Sequence, residues 1–86
     1  MTPEPYYHED SGAVRFWVPI DGQVVGSSVS SRTLHFRFRP GASDDVPLET
    51  YKRHAEDLHA AVRRRVAAGS IEPVMLREHD LRPDAA

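Results

Sequence analysis

A two-layer α+β domain is the fold this sequence predicts, with elements in the order β-β-β-α-β and one long amphipathic helix packed on a mostly antiparallel sheet. Three observations predict it. Residues 14–20 alternate Val14, Phe16, Val18 and Ile20 with Arg15, Trp17 and Pro19, the period of a strand with one buried face. Residues 47–68 carry Leu48, Tyr51, Ala55, Leu58, Val62 and Val66 at steps of three and four, the period of one helix face. At 86 residues the chain has room for a single core.

Taken in order, residues 1–12 combine prolines, acidic residues and a Ser-Gly pair without any period, which predicts a flexible N-terminal arm ending in a turn. The first strand ends at Asp21-Gly22, a pair that tolerates positive φ and signals a hairpin. A second strand follows over residues 23–30, with Val25 and Val29 expected to face inward. Leu34, Phe36 and Phe38 alternate with His35, Arg37 and Arg39, which predicts a third strand with an aromatic face and a cationic face, closed by Pro40-Gly41. Asp44 or Asp45 is expected to cap the helix and Pro47 to open it. Arg63, Arg64 and Arg65 complement the dipole at its far end, where Gly69 stops it. Val74, Met75 and Leu76 after Pro73 suit a short fourth strand. The expected division is an arm over 1–12, a single α+β domain over 13–81 and a frayed tail over 82–86.

Composition narrows the chemistry. Hydrophobic residues make up 40% and charged residues 28% of the chain, a globular balance that predicts a packed fold. There is no cysteine, so disulfides, thiolate catalysis and sulfur-ligated metal sites are excluded. No apolar run approaches the length of a membrane helix, and residues 1–7 lack a basic, then apolar, pattern. A soluble cytoplasmic protein is the expectation. The formal net charge of -2 argues against a strongly basic nucleic-acid binder, although three arginines and a histidine fall within residues 32–39.

The run over residues 14–22, the Ser-rich second strand, the helix segment Tyr-Lys-Arg-His-Ala-Glu-Asp and the Gly-Ser-Ile-Glu-Pro return follow one another toward His79-Asp80-Leu81. In that order they resemble a family of short bacterial proteins filed as domain of unknown function 1488, over about residues 7–81. The resemblance implies a compact α+β fold and brings no catalytic residues with it. The arginine-rich segment over 34–39 is a departure particular to this chain.

Sites for chemistry are sparse. His54 and His59 stand five residues apart, about 140° around a helix axis, and do not converge as metal ligands. Glu56 and His59 share a face but form only half of a bundle-type carboxylate-histidine site. Ser27, Ser28, Ser30 and Ser31 lack a strained elbow, and the five glycines form no phosphate-binding loop. No cofactor, metal or catalytic residue is expected, and a histidine-dependent enzyme ranks third among the readings. The outward sheet face carries the most physical content. Arg15, Trp17, His35, Arg37 and Arg39 are expected to project there together. Arg and Trp anchor protein interfaces, so a non-enzymatic module for a protein partner or for self-association is the first expectation. Single-stranded nucleic acid, stacked on Trp17 and held by the arginines, is the second.

Overall fold

The structure is a computed structural model and describes residues 4–38 and 46–81. Among these residues it is a small α+β domain. Its elements are β1 (Tyr6–His8), β2 (Ala13–Ile20), β3 (Gln23–Ser30), α1 (Ser31–Phe38), α2 (Pro47–Arg53), α3 (Ala55–Ala67), β4 (Val74–Leu76) and a closing 3-10 turn over Glu78–Leu81. The four strands form one mixed sheet in the order β1-β2-β3-β4. β1 pairs antiparallel with β2 and β2 with β3, while β4 lies parallel to β3. No helix of the described residues is long and apolar enough to cross a membrane.

Much of this follows locally. Asp21 and Gly22 both hold positive φ, 51° and 81°, and the two-residue turn sets Ile20 opposite Gln23. That register sends Val14, Phe16 and Val18 inward on β2, and Ser27 and Val29 inward on β3 with Val25 packed at the edge of the core. The helix stripe meets them: Tyr51, Leu58 and Val62 are buried, while Leu48, Ala55 and Val66 pack beside them. Phe16 sits against Tyr51 with ring centroids 4.8 Å apart. At the end of α3, Gly69 has a φ of 103°. The Gly69 amide donates to the Val66 carbonyl at 3.0 Å, and that of Ser70 to Arg65 at 2.9 Å, the paired closure of a Schellman stop.

Several expectations are corrected. The alternating segment after Ser31 is a helix, α1, and not a third strand. Ser30 caps it: its hydroxyl accepts the Thr33 amide at 3.0 Å and donates to Thr33 Oγ1 at 2.8 Å. A helix places Leu34 and Phe38, four residues apart, toward the core, and turns Phe36 out to 52% exposure. The single long helix is two, since His54 (φ -117°, ψ 22°) breaks the helical path between α2 and α3. His54 there stacks on Phe38 at 3.9 Å, 7° from parallel. The segment expected to be an arm contributes the strand β1, while the last strand, whose pairing the sequence leaves open, joins parallel to β3 in a sheet that is otherwise antiparallel. Val46, with extended backbone, occupies the cap position of α2 ahead of Pro47, while Asp44 and Asp45 lie outside the described residues.

The chain after β4 is tied down by a polar latch. Asp80, 8% exposed, accepts from Arg65 Nη1 at 2.7 Å and from the Arg77 amide at 2.8 Å. Arg64 donates to the Asp80 carbonyl at 2.7 Å, and Arg65 also to the Met75 carbonyl at 3.1 Å. These bonds hold the 3-10 turn and the end of β4 against α3.

Candidate binding face

The strand registers lay out the face of the sheet opposite the core as a grid. One row crosses from Tyr6 to Arg15, Ser28 and Met75. On one side of it Trp17 pairs with Gly26, and on the other His8 pairs with Ala13 and Ala13 with Ser30. Pro73 and Arg77 flank Met75 in the chain and extend the same two outer rows at the β4 edge. The β3 column therefore carries only glycine and serines, between a taller column on β2 and another at β4. The result is a groove of about 740 Å³ whose lining includes Arg15, Trp17, Gly26, Ser28, Met75 and Arg77. That volume lies in the range of ligand-binding clefts.

The side chains around it are anchored to different degrees. Trp17 is half-buried and stacks on Tyr6 at 6.1 Å between centroids, with 30° between the planes. Arg15 is exposed and donates at 3.5 Å to the Tyr6 hydroxyl, too long for a strong bond. Met75 is 58% exposed. The Glu72 carboxylate reaches the same face, since a Cβ placed on Gly26 would lie 3.2 Å from Glu72 Oε2 and 3.5 Å from Trp17 Nε1. Glu78 and Thr33 close the end nearest Ser30. The apolar walls and the small polar floor can hold a side chain or a short chain segment; at one end the lining residue Ser11 shares a hydrogen bond with His8 Nδ1 at 2.7 Å, and no metal-binding cluster is found among the described residues.

Of the five residues expected on this face, Arg15 and Trp17 are there. His35 and Arg37 are not, because the segment that carries them is helical: His35 meets Phe36 edge-on, and Arg37 donates through Nε to the Leu81 carbonyl at 2.8 Å. Arg39 lies outside the described residues. The cationic sheet face is thus replaced by one with mixed charge. Tyr6, Gly26, Ser28, Met75 and Arg77 complete the site without having been foreseen. A signal for Gly26 and Ser28 existed, since a two-residue turn at Asp21-Gly22 pairs Trp17 with Gly26 and Arg15 with Ser28 by counting.

The histidines of the helices serve other ends. His59 Nε2 shares a hydrogen bond with the Tyr51 hydroxyl at 2.9 Å, and its ring stacks on Phe16 at 5.8 Å. Burial first, and the neighbouring Arg63 second, push His59 below the usual imidazole value, while burial pushes the Tyr51 hydroxyl up. Among the described residues no three His, Cys, Asp or Glu side chains converge as metal ligands. Compared with protein families, curated proteins and solved structures, the chain matches none.

Proposed function

We propose that this protein is a small non-enzymatic binding module that holds a segment of another polypeptide against the outer face of its sheet. The observation that supports this reading is the groove itself, in which Trp17 and the exposed Met75 stand on opposite sides of a glycine-serine floor. Trp is the side chain most enriched at interface anchors, and Met adapts its shape to varied apolar partners. Membership in the short bacterial family named above is proposed with it, on the Asp21-Gly22 hairpin, the helix segment and the Gly-Ser-Ile-Glu-Pro return.

Trp17 is the sole tryptophan, so its fluorescence reports this groove alone. Selection of displayed random peptides against the wild-type protein is expected to enrich a common motif whose binding shifts that fluorescence. Ser28→Leu, which fills the floor, is expected to weaken the selected peptide about tenfold or more. Enrichment that is equal on wild type and Ser28→Leu would contradict the proposal.

A second reading, single-stranded nucleic acid, is favoured by one observation: Tyr6, Trp17 and Arg15 form an aromatic platform beside a cation. With only Arg15 and Arg77 at the groove, its affinity would fall with salt at a logarithmic slope of about -1.4, the value for two phosphates.

A further inference from the structure

We infer that the segment held on the outer face belongs to a second copy of this chain, with two protomers packed face to face; this rests on the outer face being the binding surface, and names its occupant. Shape is the first argument. The face is a ridge beside a trough: β2 raises Arg15 and Trp17, while β3 offers Gly26, Ser28 and Ser30. Adjacent strands lie about 4.8 Å apart, so a two-fold axis along the strands, midway between β2 and β3, lays each ridge over the other protomer's trough. The same rotation brings β1 of one protomer over β4 of the other. Exposed Tyr6 then faces Met75 within the row they share, a thioether on an aromatic ring.

Charge is the second argument. Arg15 and Arg77 border the groove together with Glu72, beside Trp17, and Glu78. Two cations and two carboxylates give the face no net charge, and the two-fold, which lays Trp17 over the other copy's Gly26, brings that copy's Glu72 beside Arg15, while Arg77 comes over His8. A polyanion finds no excess of cations here, which sets the second copy ahead of nucleic acid. The footprint is modest: four strands by about five residues span roughly 19 by 16 Å, below the standard interface size. The association is therefore expected to be weak and to depend on protein concentration.

Sedimentation equilibrium from about 1 to about 500 µM tests this through mass action. The wild-type mass is expected to rise from the 9.7 kDa of one chain toward twice that value. Met75→Glu changes a side chain that is already exposed, and circular dichroism would show that it folds. It is expected to weaken association about tenfold or more. Arg15→Glu and Glu72→Arg are each expected to associate more weakly than wild type alone and to recover association when mixed. A folded wild type that stays monomeric at the highest concentration would overturn the inference, as would association indifferent to Met75→Glu. If that monomer still selects peptides that Ser28→Leu loses, the binding face stands and only its occupant is wrong. If it selects none, both readings fall.

Discussion

Gly26 and His59 show how single residues divide the work between the two faces of the sheet. Gly26 has ordinary negative φ, so its use is space: without a side chain, the backbone of β3 stays open beside the Trp17 indole and the Glu72 carboxylate. His59 belongs to the buried face, where Phe16 of β2, Tyr51 of α2 and Arg63 of its own helix surround it. Burial and Arg63 disfavour its charged form in the folded state, so the unfolded chain binds that proton more readily. The stability contributed by neutral His59 is complete above the usual value of 6.5 and is lost as pH falls from there toward the lowered folded-state value. The urea midpoint of wild type is therefore expected to drop more between about pH 7 and pH 5 than that of His59→Gln. Equal slopes in the two proteins would contradict this role.

At the scale of elements, α1 separates what was legible from what was not. Leu34, Phe36 and Phe38 satisfy a strand period, and over so short a run two of them also satisfy a helix period at i and i+4. The cap decides between them. Ser30 satisfies the Thr33 amide and leaves the chain helical, so the residues expected to line one strand divide between the core and solvent. Ser30→Ala removes that cap and is expected to lower stability by about 1 kcal/mol in urea unfolding. A change near zero would mean that packing of Leu34 alone holds α1. By contrast, the Asp21-Gly22 hairpin, the apolar stripe from Leu48 to Val66 and the Gly69 stop were legible because each rests on local backbone chemistry. The break at His54 and the parallel pairing of β4 depend on partners distant in sequence, Phe38 and β3, and no local pattern carries them. For the same reason the site was half legible. Arg15 and Trp17 follow from the period of β2, whereas Met75 and Arg77 reach the groove only through that long-range pairing.

For the molecule as a whole, one layer of helices covers the face with Val14, Phe16, Val18 and Val29, and the opposite face carries the groove. The Asp80 latch joins the halves: it secures the chain after β4 to α3 and so fixes the groove wall that bears Met75, Arg77 and Glu78. The outer face is the proposed binding surface. The measurement that addresses it most directly is an amide chemical-shift map of the wild-type protein, titrated with a peptide enriched by selection. Shifts are expected to concentrate at Arg15, Trp17, Gly26, Ser28 and Met75, with α2 and α3 little changed. Shifts concentrated instead on the exposed side of α3, around Glu56, Asp57 and Arg63, would contradict the proposal.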